Sequence, residues 1–287
     1  MKDVPLLELN DGHTIPQLGL GVYQIAPENT VDAVLNALEV GYRHIDTAEM
    51  YGNEKQVGEA INESEIGRSD IFVTSKLHNA MHKPDDARRA IDNSIEAIGS
   101  DYIDLFLIHW PLPKLYGGDF LATWEVLEDY KSKGHLRSIG VSNFQVSHLQ
   151  KLIAKAKIEP AVNQIELHPY FQNVEVDDFG QTKNIATEAW SPIAQGGVLD
   201  DPVIAEIAKQ TGKSTAQVVL RWHIQRGNII FPKSETPERI EENYDIFDFE
   251  LDDNQMADIT GLDKAENGRT GPHPDRFDYC PEYKRPG

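Results

Sequence analysis

Residues 103–109 read Ile-Asp-Leu-Phe-Leu-Ile-His, an almost uninterrupted apolar run that ends in a histidine. A run without alternation of apolar and polar residues is typical of a strand whose two faces are both covered, as in a parallel sheet. Seven further short runs are rich in apolar or β-branched residues, so the sequence predicts eight strands. The eight runs are residues 18–23, 42–47, 71–77, 103–109, 138–143, 161–167, 184–190 and 228–232.

Segments with helical spacing separate these strands. Gly41 lies where a helix C-cap is expected, Asn53 precedes the second helix, and Pro84 suits a first helical turn. Eight strands separated by helical segments predict a (β/α)8 TIM barrel, and a doubly wound sheet is the alternative. The predicted helices are residues 30–39, 53–63, 84–98, 124–133, 148–157, 215–225 and 237–247.

Two segments lie outside the repeat. Residues 5–15 read as a β-hairpin with Asn10-Asp11-Gly12 at its turn, placed before the first barrel strand, and we expect it to cap the bottom of the barrel. The chain from Gly261 onward is rich in Gly, Pro and charge, and it reads as a loop or tail at the active-site mouth. Because no linker interrupts the pattern, residues 1–287 are predicted to form a single domain.

Composition narrows the classes of partner. The 287 residues include 27 Lys plus Arg and 47 Asp plus Glu, a net charge of −20, which argues against nucleic acid and anionic membranes as general partners. No apolar run is long enough to span a bilayer. Cys280 is the only cysteine and cannot form an internal disulfide, so a reducing cytoplasm is the expected location. Nothing indicates an extended apolar interface, and we expect a monomer.

Four polar side chains follow or end predicted strands, where the active site of such a barrel lies. They are Asp46, Tyr51, Lys76 and His109. A phenol has a pKa near ~10, and a neighbouring ammonium held by a carboxylate lowers it. An Asp46–Lys76–Tyr51 chain would therefore make Tyr51 a general acid, and His109 would orient a carbonyl oxygen. No metal-ligand cluster, Rossmann fingerprint or P-loop accompanies them, so a bound hydride donor is the best complement.

Other interpretations of these residues stay open at this point. Singly, Asp46 could cap a turn, Lys76 could extend to water and His109 could be a hydrogen-bonded core histidine. Lys76 could also be the nucleophile of a Schiff-base aldolase or lyase. A third possibility is a binding module that senses a cofactor without turning over a substrate.

Four motifs carry a family resemblance that extends over nearly the whole chain. Residues 46–54 read Asp-Thr-Ala-Glu-Met-Tyr-Gly-Asn-Glu, and residues 107–111 read Leu-Ile-His-Trp-Pro. Residues 139–144 (Ile-Gly-Val-Ser-Asn-Phe) and 231–234 (Phe-Pro-Lys-Ser) follow in order. Together they resemble the aldo-keto reductase family. The resemblance implies an NAD(P)H-dependent carbonyl reductase, with Tyr51 as proton donor, Lys76 and Asp46 supporting it, and His109 orienting the carbonyl.

The resemblance also implies a cofactor site and a substrate pocket. Trp190 would stack on the nicotinamide where the family often has tyrosine, and Ser142, Asn143 and Gln164 would hold its carboxamide. A basic and hydroxyl-rich segment after the last strand would bind a 2′-phosphate, which favours NADPH over NADH, although Glu235 would oppose it. The remaining implied cofactor residues are Gly21, Val22, Tyr23, Asp46, Ser191, Pro192, Lys233, Ser234, Thr236, Arg239, Glu242 and Asn243. The implied substrate residues are Tyr23, Met50, His109 and Trp110.

Residues 268–275 and 245–251 resemble the branch of bacterial 2,5-diketo-D-gluconate reductases. The implied substrates are small aldehydes and ketones, with keto-sugar acids among them. An acidic substrate would need a positive group near His109, and Arg269 in the tail is the candidate. Without that group, neutral aldehydes and ketones are favoured.

Overall fold

The architecture is a closed barrel of eight parallel strands, seen in a computed structural model that describes residues 4–284. The predicted domain of 1–287 also includes residues 1–3 and 285–287, which lie outside the described residues. Seven of the barrel strands fall within their predicted runs, and the strand predicted at 138–143 begins two residues earlier, at Leu136. The strands are β3 Leu20–Gly21, β4 His44–Asp46, β5 Phe72–Leu77, β6 Ile103–Ile108, β7 Leu136–Ser142, β8 Val162–Glu166, β9 Ala186–Trp190 and β10 Ile229–Ile230.

Neighbouring strands pair in sequence order, from β3 through β10. Parallel bridges from Leu18 to Ile230 and from Gly21 to Lys233 join the first strand to the last. Gly21 is required at this seam, because a Cβ there would lie 2.5 Å from the carbonyl oxygen of Phe231. The prediction of a closed (β/α)8 barrel is confirmed, and the doubly wound sheet is excluded.

The apolar run that predicted β6 is buried on both of its faces. Leu105 and Leu107 point into the barrel, where they pack with Val162 and Ile229. Phe106 and Ile108 join the larger core between the sheet and the helices. This alternation fixes which residues of every strand face the barrel axis.

Ten helices surround the barrel in the described part of the chain. The seven predicted helices are all present, with ends shifted by a few residues. Three helices were not predicted, because their apolar stripes are short. They are Val174–Thr182, Pro202–Thr211 and Asp253–Thr260. The helices are α1 Pro27–Val40, α2 Glu54–Glu63, α3 Pro84–Ile98, α4 Leu121–Ser132, α5 Val146–Ile153, α6 Val174–Thr182, α7 Pro202–Thr211, α8 Thr215–Gln225, α9 Pro237–Tyr244 and α10 Asp253–Thr260. Within residues 4–284, no helix has the length and apolar character needed to cross a bilayer.

The N-terminal hairpin and the C-terminal tail lie at opposite ends of the barrel. Strands β1 Leu6–Glu8 and β2 Thr14–Pro16 pair antiparallel, and Leu9 and Ile15 pack on the inward residues of β6 and β8. This places the hairpin at the bottom, as predicted. The tail after α10 contains one 3-10 turn, Ala265–Gly268, and then crosses the opposite mouth.

Candidate active site

The alternation of the barrel strands brings three of the predicted catalytic groups into one hydrogen-bonded chain. Lys76 of β5 is fully buried, and its Nζ lies 2.7 Å from Oδ1 of Asp46. The same nitrogen donates to the carbonyl oxygen of Thr47 at 2.8 Å and to the hydroxyl oxygen of Tyr51 at 3.3 Å. One buried ammonium therefore links a carboxylate to a phenol at the carboxyl ends of the strands.

Lys76 remains charged in this setting. Burial alone would lower its pKa, but the charges of Asp46, Tyr51 and Glu188 together raise it above the ordinary value. An amine must lose its proton before it can attack a carbonyl carbon. The raised pKa of Lys76 therefore argues against the Schiff-base alternative.

The expectation that Lys76 brings the pKa of Tyr51 below its ordinary value was wrong. Burial raises the pKa of Tyr51 to about 12, and the neighbouring Lys76 opposes this shift without overcoming it. The phenol is therefore protonated at neutral pH, as a proton donor must be. The effect of Lys76 is to stabilise the phenolate that remains after the proton leaves.

His109 stands beside this chain as a neutral ring. Its ring centroid lies 5.9 Å from that of Tyr51, at an interplanar angle of 75°. Burial, followed by the charge of Lys76, holds the pKa of His109 well below its usual range. Its Nδ1 is buried without a hydrogen-bond partner. A neutral imidazole can donate one N–H to an oxygen without releasing its proton.

A second group of predicted residues forms a hydrogen-bonded platform next to the catalytic chain. Asn143 has a left-handed backbone with a φ of 65°, and its Nδ2 donates to the carbonyl oxygen of His109 at 3.0 Å and to Oγ of Ser142 at 3.0 Å. The indole Nε1 of Trp190 donates to Oδ1 of Asn143 at 2.8 Å. Gln164 donates from Nε2 to Oδ2 of Asp46 at 2.8 Å. The platform thus joins amides, a hydroxyl and an aromatic face directly to the catalytic chain.

The predicted phosphate segment runs from β10 into α9. Nζ of Lys233 lies 2.6 Å from Oε1 of Glu235, and Asn29 donates to the other oxygen of that carboxylate at 3.1 Å. These contacts hold the pKa of Glu235 below its usual value. Arg239 is exposed on the first turns of α9, while Ser234 is buried. Glu235 is therefore ion-paired with Lys233, the lysine that the predicted phosphate site would use.

The remaining implied cofactor residues occupy three places. Gly21 and Val22 are buried at the end of β3, and Tyr23 is 53% exposed beside Tyr51. Ser191 and Pro192 follow β9, with a left-handed φ of 50° at Ser191. Thr236 is the N-cap of α9, and Glu242 and Asn243 lie in its last turns.

The tail packs against one of the residues predicted to contact the substrate. Phe277 packs on Trp110 with ring centroids 3.9 Å apart, and Met50 is partly buried in the 3-10 turn Glu49–Tyr51. Arg269 is the positive group predicted to lie near His109 for an acidic substrate, and that role stays a prediction. Its guanidinium makes two 2.9 Å hydrogen bonds to Glu266 and stacks on Phe171.

Glu166 anchors this tail and was not predicted to have that role. Its Oε1 accepts hydrogen bonds from the backbone N–H and the hydroxyl of Thr270, both at 2.6 Å, and its Oε2 accepts from the N–H of Gly271 at 3.0 Å. A Cβ at Gly271 would lie 2.4 Å from the indole of Trp190. The tail therefore rests directly on the proposed cofactor platform. Alternation along β8 would have identified Glu166 as inward-facing.

Replacing Glu166 by Ala is expected to release the tail from the platform. Hydrogen bonds to a charged acceptor contribute about 1.5–3 kcal/mol each, so amide exchange at residues 269–271 should accelerate by roughly tenfold or more. Hydrogen–deuterium exchange measures this, and unchanged rates would contradict the anchoring role.

The pH dependence of the wild-type tail gives a second measure of the same contact. Burial would raise the pKa of Glu166, but His168 and Thr270 bring it below the ordinary 4.5. Its stabilisation is therefore complete above that value and is lost as the pH falls through the lower pKa of the folded state. The exchange rates of the wild type and of Glu166→Ala should converge only as the pH falls below 4.5.

Comparison with known proteins gives the family. The model of the Aldo/keto reductase family matches residues 16–264. An aldo-keto reductase of Mycolicibacterium smegmatis is 50% identical over 276 residues, which are 96% of this chain and 98% of that protein. The methylglyoxal reductase DkgA of Escherichia coli K12 is 44% identical over 279 residues, 96% of this chain and 99% of that protein. A variant of Gox0644 crystallised with NADPH superposes with a TM-score of 0.92 at 40% identity, covering 97% of this chain and 100% of the other. The chain therefore belongs to the aldo/keto reductase family and is an oxidoreductase that acts on carbonyl groups.

Proposed function

We propose that this protein reduces small aldehydes and ketones to alcohols with NADPH, and that Tyr51 is the general acid. The observation that carries the proposal is the fully buried Lys76 ammonium, 2.7 Å from the Asp46 carboxylate and 3.3 Å from the Tyr51 hydroxyl. A lone lysine in a barrel core is costly unless it is paired. Its contact with the Tyr51 phenol at the barrel mouth indicates that this lysine is buried for a chemical role.

The platform residues suit a nicotinamide. A carboxamide both donates and accepts hydrogen bonds, which matches the amides of Asn143 and Gln164 and the hydroxyl of Ser142. The partly exposed indole of Trp190 offers an aromatic face for a planar ring. The relative Gox0644, crystallised with NADPH, makes the same dinucleotide the first choice for this chain.

The reaction follows from the chemistry of the three residues around the carbonyl. NADPH would supply the hydride that adds to the carbonyl carbon. His109, neutral at working pH, donates a hydrogen bond to the carbonyl oxygen and fixes its direction. Tyr51 gives its proton to that oxygen as negative charge develops there. Lys76, held by Asp46, then stabilises the phenolate until a proton returns.

The proposal is tested by transfer of deuterium. Purified protein is mixed with methylglyoxal and NADPH deuterated at the nicotinamide C4, and the alcohol is analysed by mass spectrometry. We expect carbonyl-dependent oxidation of NADPH and deuterium on the carbinol carbon. NADPH binding without turnover across a broad carbonyl panel would favour the binding-module alternative. A covalent adduct on Lys76 after borohydride treatment with substrate would favour the Schiff-base alternative.

Neutral substrates are expected to react better than acidic ones. The predicted substrate residues Tyr23, Met50 and Trp110 are aromatic or apolar, and so is Phe277, which packs on Trp110. The guanidinium of Arg269 is hydrogen-bonded to Glu266. Methylglyoxal is a small neutral example, and the relative DkgA is named a methylglyoxal reductase. The keto-sugar acid 2,5-diketo-D-gluconate is the acidic comparison. The ratio of their kcat/KM values decides between the two classes.

The phosphate segment is expected to set the preference for NADPH over NADH. Charge-assisted hydrogen bonds contribute about 1.5–3 kcal/mol, so Arg239→Ala or Lys233→Ala should reduce the NADPH-to-NADH ratio of kcat/KM by roughly tenfold or more. Glu235→Gln is the matched control, because it frees Lys233 and should leave the ratio equal or higher. An unchanged ratio in both alanine variants would remove the 2′-phosphate assignment.

The cellular setting stays a prediction. We propose a cytoplasmic location, because Cys280 is the only cysteine in the sequence. We propose a monomer, because a single copy of the chain brings the candidate site residues together within the described residues. Light scattering at the concentrations used for the assay measures the mass and tests the monomer.

A further inference from the structure

Glu188 is a fully buried carboxyl group on β9 that the proposed reaction does not use. Its Oε2 accepts a hydrogen bond from Nε2 of Gln164 at 2.7 Å, but its Oε1 is buried without a hydrogen-bond partner. The nearest cation candidate, Nε2 of His44, is 4.0 Å from Oε1, and burial lowers the pKa of His44 to about 3, which leaves the ring neutral. An apolar residue would avoid the cost of burying such a group.

The contact that Glu188 does make lies within the cofactor platform. Nε2 of Gln164 donates to Oε2 of Glu188 and also to Oδ2 of Asp46, at 2.7 and 2.8 Å. A primary amide nitrogen carries two hydrogens, so these two acceptors use both of them. One acceptor alone would leave the amide free to turn about that hydrogen bond. Two acceptors fix both the plane of the amide and the direction of its oxygen.

Strand register explains why these three side chains meet. Gln164 of β8 is paired with Glu188 of β9 and with Ser142 of β7. Inward side chains of adjacent strands at one level touch each other, and Asp46 reaches the same amide from across the barrel. Glu188 therefore lies at the same level as Gln164 and Ser142, two residues before Trp190 on β9.

We propose that Glu188 is a positioning residue, which holds the Gln164 amide so that its oxygen is presented to the carboxamide N–H of a bound nicotinamide. The inference rests on the proposed function, in which Gln164 contacts that carboxamide. The charge of Glu188 is not required for this role. Burial and then the nearby Asp46 raise the pKa of Glu188 to about 8, so the neutral acid is available at neutral pH and its oxygen still accepts the hydrogen bond.

The test compares two oxidised cofactors in binding experiments. NADP+ has a carboxamide, whereas its 3-acetylpyridine analogue carries a methyl ketone with no N–H to donate. Affinities are measured by quenching of intrinsic tryptophan fluorescence. We expect Glu188→Met to weaken NADP+ binding by roughly five- to tenfold, the value of one hydrogen bond. Binding of the analogue should change by less than about twofold, since it never makes that bond.

Further variants separate positioning from general damage to the core. Glu188→Gln keeps an amide oxygen at the same reach and should restore NADP+ binding to within about twofold. Glu188→Asp is one methylene shorter and should weaken NADP+ as Glu188→Met does, which also covers the case in which the methionine variant fails to fold. Thr74→Val is the matched control, because Thr74 bonds His44 at 3.0 Å and has no hydrogen bond to Gln164.

The outcomes distinguish this inference from the proposed function. Equal weakening of both cofactors, or a Glu188→Gln variant as weak as Glu188→Met, would overturn the positioning role. So would unchanged NADP+ binding in Glu188→Met and Glu188→Asp when Gln164→Met weakens it. If the wild type does not bind NADP+, or if Gln164→Met has no effect on it, then the assignment of the cofactor site itself fails.

Discussion

Replacing Tyr51 by Phe is expected to reduce kcat for carbonyl reduction by roughly 10²–10⁴-fold, the usual contribution of a general acid. The substitution removes one oxygen atom and keeps the ring that packs against Tyr23 and His109. His109 is the other group proposed to contact the carbonyl oxygen. His109 is a neutral ring, because its pKa is lowered. Giving up its remaining N–H proton would turn it into an imidazolate anion, so it does not replace Tyr51 as the acid. Single-turnover reduction of methylglyoxal with NADPH measures the chemical step without interference from product release.

Binding of NADPH provides the control for this variant. Within residues 4–284, the hydroxyl of Tyr51 donates to no platform residue, and it accepts a hydrogen bond from Lys76 at 3.3 Å. The Kd for NADPH should therefore stay within about threefold of the wild-type value. A single-turnover rate within tenfold of the wild type would contradict the role of Tyr51 as acid.

The sequence predicted the barrel and most of the site because strand alternation and strand-end chemistry are local patterns. Asp46, Lys76 and His109 end or nearly end buried strands, which made each a candidate, and their joint occurrence with Tyr51 at one rim indicated the catalytic role. The pKa of Tyr51 was not predictable, since it depends on the balance between burial and the Lys76 charge. That balance is a property of the packed site.

The residues that were missed share a different cause. Glu188 and Glu166 lie at inward positions, two residues from Trp190 and Gln164 along their strands, so alternation carried a signal for both. Their partners were not readable from the sequence. Glu166 is held by Thr270, which is 104 residues away along the chain. The partner of Arg269 was not readable for the same reason, because the fold of the tail decides that it pairs with Glu266.

Replacing Lys76 by Met should affect both stability and activity. It removes the cation that pairs with buried Asp46, and breaking a buried ion pair costs about 3–5 kcal/mol of unfolding free energy. It also removes the group that opposes the rise in the pKa of Tyr51, so the phenolate becomes harder to form. We expect kcat to fall by roughly a hundredfold or more. Urea unfolding and the single-turnover assay measure the two effects.

The pH dependence of the stability loss has a definite sign. The pKa of Lys76 is raised above 10.5 in the folded protein. Its stabilisation is therefore complete below that ordinary value and is lost as the pH rises through the raised pKa. The difference in unfolding free energy between wild type and Lys76→Met should be constant around neutrality and shrink only in strongly alkaline solution. A difference that disappears near neutral pH would mean that Lys76 is not held as an ion pair.

A double variant separates the structural role of Lys76 from its chemical role. In Lys76→Met with Asp46→Leu, no unpaired charge remains from this pair, and buried ion pairs replaced by apolar residues of similar volume often lose little stability. We therefore expect the double variant to recover most of the unfolding free energy lost in Lys76→Met. Activity should not recover, because Tyr51 still lacks the ammonium that stabilises its phenolate. If activity returned together with stability, Lys76 would be a structural residue, and the catalytic chain would have to be drawn without it.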